Sequence, residues 1–275
     1  MLGMMTIAGH NYVHQKDNFR MYYFQFSLLQ IREWRISHAL SHHLHTNAID
    51  DLEISMYEPL LFYLPVKKSV RDIISSLLLA PVIWVTMFHG ALIKRILFAK
   101  KCNFTNFGLS DLIPLLLPTV MCLFRGENTS IIDVFLMWNF IILVGSTYLG
   151  FVGLHAAHHH PDIFHDGDVP RSSTNYDWGL SQLDAVMDRK EITGSHFLVL
   201  TNFGDHALHH LFPTLDHGLL ELLYPTFKRV LRQFDVDVRC VSQWDTIKGG
   251  FQQLVKVNPN SSAPDLKKYS NSKDD

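Results

Sequence analysis

Residues 73 to 93 of this chain pass without a single Asp, Glu, Lys or Arg, and residues 134 to 154 do the same. Each run is 21 residues long, and a helix needs roughly 20 predominantly apolar residues to cross a bilayer. A helix at the surface of a water-soluble domain keeps a polar stripe, so two uncharged runs of this length favour membrane spans over core helices. A third apolar stretch, Leu112 to Phe124, contains Pro114 and Pro118 and is too short to span; it is expected to be a partial or re-entrant segment within 109–124. The expected fold class is all-α: an integral membrane helical bundle with spans near 73–98 and 131–154.

The second constraint is histidine. The chain holds 17 of them against 24 lysines and arginines, and histidine is the commonest metal ligand. Thirteen of them fall into four clusters: HNYVH (His10, His14), HALSHHLH (His38, His42, His43, His45), HAAHHH (His155, His158, His159, His160) and HALHH (His206, His209, His210). Residues three and four apart share a helix face. His10 with His14, His206 with His209 and His210, and His155 with His158 and His159 are therefore each expected to point one way. In the second cluster His38, His42 and His45 keep helical spacing, and His43 is turned about 100° away. Helix periodicity alone favours His45 over His43.

Imidazoles gathered without a metal would repel one another when protonated and lose solvation when buried; a metal ion removes that penalty by taking their neutral lone pairs. A structural zinc site uses four ligands, so eight or nine imply two ions. Imidazole suits zinc, copper, iron and nickel alike and does not name the metal. Asp50, Asp51, Glu53, Asp162, Asp166, Asp168 and Asp205 are acidic neighbours able to orient ring nitrogens, though a solvated loop charge is the ordinary reading for most of them. His89 and His196 stand alone and read as structural residues.

Two clusters precede the first apolar run and two follow the second, so all four can meet only if the chain crosses the membrane an even number of times. Spans near 73–98 and 131–154 satisfy this. So does a hairpin of 112–124 with 134–154, which keeps Lys94, Arg95, Lys100 and Lys101 on the cytoplasmic side. The sequence leaves both open. The first nine residues, MLGMMTIAG, carry no basic leader or cleavage site and are expected to be the end of a helix that starts upstream. Residues 219–234 alternate apolar and basic faces, as a helix on a membrane surface or a packed helix would. From residue 258 the chain turns polar, so a disordered tail is expected over 258–275 after a single membrane domain over 1–257. A net charge of −2 and no basic stripe argue against nucleic acid. Cys102, Cys122 and Cys240 form no disulfide pattern.

HNYVH, HALSHH and HALHHLFP resemble the three histidine boxes of the membrane fatty-acid desaturases. HHLFPTL and WGLSQLDAV (Trp178 to Val186) are similar to segments of the front-end members of that family. The resemblance runs from about His10 to about Lys248. It implies two iron ions at the cytoplasmic face of the endoplasmic reticulum, in a multi-pass protein that oxidises a fatty-acyl substrate. Electrons would come from a cytochrome b5 and its reductase, with heme only on an external or missing cytochrome b5 module. Carried over box by box, the metal ligands are His10, His14, His38, His42, His43, His206, His209 and His210. For the ninth, the Ala-Ala-His match points to His158, and pairing with His155 points to His159. His155 and Asp205 are candidates for supporting contacts. The family's His-Pro-Gly-Gly heme motif and most of its first transmembrane hairpin are not in this chain, so an N-terminally incomplete domain is expected.

An unactivated methylene has no acidic proton, so its oxidation needs a redox cofactor, with the protein positioning the chain and excluding water. Desaturation is the leading expectation. A lipid hydroxylase acting on fatty acids, sphingolipids or sterols shares the same clusters. A metal-binding or interaction protein without turnover is the reading from another class.

Overall fold

The structure, a computed structural model, describes residues 1–155, 157–172 and 174–270, and it is mostly helical. Backbone contacts divide the chain into two compact units, the first made of residues 1–35 and 81–151 and the second of the remainder.

The first unit begins with α1 (Leu2–Val13), a 3-10 segment (Phe19–Ser27) and the single turn α2 (Ile31–Trp34). Helix α3 (Val70–Lys101), which enters this unit at Pro81, is followed by a 3-10 segment (Leu109–Leu115), α4 (Leu116–Leu123) and α5 (Ile131–Val152). Both α3 and α5 are long and apolar enough to cross a membrane. Each starts on the same Ser-x-x-Asp box. Asp72 accepts from the Ser69 N–H at 2.9 Å and Asp133 from the Ser130 N–H at 2.8 Å, while each serine hydroxyl accepts the aspartate's own N–H. Their outward residues are apolar where a soluble helix would be polar: Leu78 is 69% exposed, Leu97 61% and Phe140 60%.

Small residues let these helices approach closely. A Cβ on Gly3 of α1 would lie 2.7 Å from Tyr148, and one on Gly150 of α5 would lie 2.5 Å from Trp84 Cβ. At the end of α3, buried Arg95 donates to both carboxylate oxygens of Asp111 at 2.9 Å and to the Asn106 carbonyl at 2.6 Å. The expected partial segment is thus a 3-10 turn anchored by Arg95 and carrying Pro114, followed by α4, which buries none of its residues.

The second unit holds a π-helical segment (Arg35–His42, entering at Ile36), α6 (Trp178–Asp184), α7 (His196–Asn202), α8 (His206–Leu211), α9 (His217–Gln233) and α10 (Gln243–Val255). Strands β1 (Asp188–Arg189) and β2 (Cys240–Val241) pair in parallel, Asp188 opposite Cys240. Much of the rest is irregular, and its carbonyls need partners once buried. Arg239 supplies them: its guanidinium donates to the carbonyls of Asp162, Leu183, Asp184 and Val186 at 2.8–3.0 Å. Lys68 does likewise for Phe62, Leu254 and Lys256.

The polar stretch beginning at residue 258 does not behave as the expected tail over its described part. The Asn260 N–H donates to Asp168 at 2.6 Å, Leu266 is 3% exposed, and the Tyr269 carbonyl accepts the Cys240 N–H at 3.0 Å. Its polar groups are used in fixing it to the unit; residues 271–275 lie outside the described residues. The three cysteines are free, as expected.

Candidate metal centre

In the first unit, the i/i+4 pair at the end of α1 forms as its spacing predicts. His10 is fully buried, and His10 Nε2 stands 2.9 Å from His14 Nε2. The remaining clusters belong to the second unit.

The HALSHH segment is not an α-helix. Its bonding is i→i+5, with the His43 N–H donating to the His38 carbonyl at 3.1 Å. Five residues then make about one turn, so His38 and His43 fall on the same side and their Nε2 atoms stand 3.2 Å apart. His45, which α-helical periodicity favours, is exposed. The expectation from spacing fails here because the helix has a wider pitch than the one assumed, and His43 takes the inward place.

The HAAHHH cluster also departs from its expected helical face, because α5 ends at Val152 and the described residues after it are turn and bend. His158 is carried inward, its Nδ1 donating to the Ala185 carbonyl at 3.1 Å. His159 instead stacks face to face on Tyr63, centroids 3.8 Å apart. Buried His155 and His160 pack on the paired glycines of α10: a Cβ on Gly250 would lie 2.6 Å from His155 Nδ1, and one on Gly249 would strike His160. Neither His155 nor His159 therefore keeps the shared helical face that the spacing predicts.

Helix α8 keeps its expected face, with His206, His209 and His210 all buried. Its start is fixed by Asp188, whose Oδ1 accepts the N–H of His206 at 2.7 Å and of Ala207 at 3.1 Å. Asp205 sits at φ 50°, and its carboxylate accepts from Tyr224 at 3.2 Å.

The ring orientations decide what the cluster can hold. His42 Nδ1 faces Asp51 at 2.8 Å, His158 Nδ1 faces the Ala185 carbonyl, and His210 Nδ1 faces Gln182 Oε1 at 2.9 Å. Each of these partners accepts a hydrogen bond, so each neutral ring carries its hydrogen on Nδ1 and presents a bare lone pair on Nε2. Those three residues place their ligand nitrogens within 4.8 Å of one another. His158 Nε2 is 3.3 Å from His42 Nε2 and 2.8 Å from His206 Nε2, and buried His210 Nε2 has no hydrogen-bond partner among the described residues. Lone pairs aimed at each other over such distances repel unless a cation lies between them. The residues fit a bound metal ion. A second group of rings adjoins this one: His43 lies 4.8 Å from His209 and His38 6.4 Å from His209, centroid to centroid. His38 Nδ1 meets Glu53 at 3.0 Å, and His209 Nδ1 is 3.1 Å from His217 Nε2.

The electrostatics agree. Burial opposes a charge on His42, but Asp51 and Glu53 outweigh it and lift its pKa to about 9. Burial, then neighbouring imidazoles, drives His158, His206 and His210 well below the ordinary value. Burial raises Glu53 to about 7. Asp51 and Glu53 thus favour a positive charge at His42, which a metal ion on Nε2 would supply in place of a second proton, while burial keeps the other rings neutral, the state in which imidazole binds metal.

Sequence reasoning missed Gln182 and His217, since a single glutamine carries no motif and His217 falls outside the boxes. The placement of His217 seven residues after His210 was the available signal. His89 faces Asn139 at 3.2 Å, and His196 pairs with Glu221 at the surface.

A family model described as fatty acid desaturase matches residues 1–242. The cytochrome b5-related protein of Drosophila melanogaster is 40% identical over 262 residues, covering 94% of this chain. The chain spans 59% of the length of that curated relative. No solved structure matches.

Proposed function

Because this chain belongs to the fatty acid desaturase family, we propose that it desaturates a fatty-acyl chain with O2 at a centre of two iron ions. The observation that carries the reading is the set of Nε2 lone pairs on His42, His158 and His210, each held in one tautomer by Asp51, the Ala185 carbonyl and Gln182 respectively, with His206 Nε2 beside them. His38, His43 and His209 offer a second set, and the family pattern adds His10 and His14 as ligands. Two irons, when bound, supply the redox chemistry that an unactivated C–H bond requires and that no acid or base can provide. The protein orients His42, His158 and His210 through their Nδ1 contacts and keeps water from the buried nitrogens.

The reading also takes α3 and α5 as a membrane hairpin in the endoplasmic reticulum, with the histidine boxes on the cytoplasmic side. It takes a cytochrome b5 and its reductase as electron source, and a single membrane domain that runs through residue 270. The test is expression of the chain in membranes with that donor pair, followed by metal analysis and lipid profiling. Two irons per chain and a lipid lighter by two hydrogens are expected. A lipid heavier by one oxygen would replace desaturase with hydroxylase. Bound iron with no O2-dependent use of electrons would leave a metal-binding protein without turnover.

A further inference from the structure

Helix α8 has a second face. At 100° per residue, Leu208 and Leu211 project opposite to His206, His209 and His210. Behind them, bounded by α6, α8 and α9, lies a cavity of about 330 Å³ lined by Trp178, Leu183, Leu211, Leu223, Phe227 and Val230 among others. Asp177, at its edge, is occupied in capping α6 through the Leu180 N–H at 2.9 Å. An apolar cavity of about 150 Å³ stays dry and takes up benzene. This one is about twice that size and open on one side, and its almost wholly apolar wall offers few partners to any water that a hydrocarbon would displace.

What lies outside the cavity names the hydrocarbon's source. Leu219, Leu222 and Val230 are exposed on α9, as is Phe234 at its C-cap, and Trp178 and Phe212 are exposed beside them. On a helix the first four of these form one stripe, and Val230 and Phe234 belong to both stripe and cavity wall. Arg229 and Arg232, both exposed, stand on one flank of that stripe. An apolar stripe with arginines beside it is the pattern of a helix lying at the boundary of headgroups and acyl chains. We propose that the cavity binds the hydrocarbon tail of a membrane lipid, admitted along α9 and separated from the histidine cluster by α8. The tail held there is not the chain being oxidised, because the ligand-bearing face of α8 points away from it.

The probe is palmitic acid carrying a mid-chain diazirine, photolysed with the full chain in phosphatidylcholine nanodiscs and mapped by mass spectrometry. Adducts are expected on the peptides containing Trp178–Leu183 and Leu223–Phe234. They should fall at least about fivefold when Val230→Trp fills the cavity, and fall similarly under excess unlabelled palmitic acid. Leu223→Phe, a milder filling, should reduce them in the same direction. Absence of adducts from both peptides overturns the proposal. So does labelling that neither the substitutions nor the competitor reduces, which would mark general contact with the bilayer. The readout is the position of the label and is independent of whether any lipid is turned over.

Discussion

Helix α8 and the stretch 155–160 both carry three or more histidines at helical spacing, yet only α8 turns its rings to one side. In α8 the spacing is sufficient because the backbone is an α-helix whose first N–H groups are taken by Asp188. After Val152 the helix has ended, and each ring goes where a local partner takes it: His158 to Ala185, His159 to Tyr63, His155 and His160 to the glycines of α10. The π-helical segment is the intermediate case, regular but with another period. Histidine spacing predicts a shared face only when the local pitch is known.

The largest effect should follow the loss of an inward ring. His42→Ala, His158→Ala and His210→Ala should each lose more than the roughly 10–100-fold in metal affinity that loss of a supporting contact costs, with no lipid product detected. Retained iron in any of them would sink the lone-pair argument. Next comes the support itself: Gln182→Met, which keeps volume but removes the acceptor for His210, should weaken iron binding by about 10–100-fold. Gly250→Ala should lower stability by about 1–3 kcal/mol, because its Cβ meets His155; a thermal unfolding midpoint unchanged from the parent would refute that packing. His159→Ala should keep iron near the parent level, in contrast to His158→Ala, and the pair sharpens the distinction most directly. His45→Ala should change iron content least of all, since that ring is exposed.

Parts of this architecture were legible from the residues alone. Charge-free runs located α3 and α5, the Ser-x-x-Asp boxes mark their starts, and HALHH located α8. The choice of His43 over His45 was not legible from periodicity, because an i→i+5 turn looks in sequence like an α-helix with one residue too many; only family resemblance supplied it. The placement of His158 depends on Asn47, whose side-chain amide donates to the His158 and Phe164 carbonyls at 3.2 and 2.9 Å across more than a hundred residues of chain. No local pattern encodes such a contact. The polar stretch 258–270 misled for a related reason: composition measures what a segment exposes when alone, and Asn260 and Tyr269 spend their polarity on Asp168 and Asp162.

The tie between Asp188 and the first residues of α8 has a consequence for how this chain tolerates change in length. Arg189, next in sequence, donates to the Phe203 carbonyl at 3.0 Å. The excursion from Lys190 to Gly204 is therefore pinched shut at its base by two adjacent side chains. Gly194, at φ 86° with open space around it, lies near the far end of that excursion. Extra residues inserted there lengthen a loop whose neck is already closed, and the imidazoles beyond the neck keep their aim.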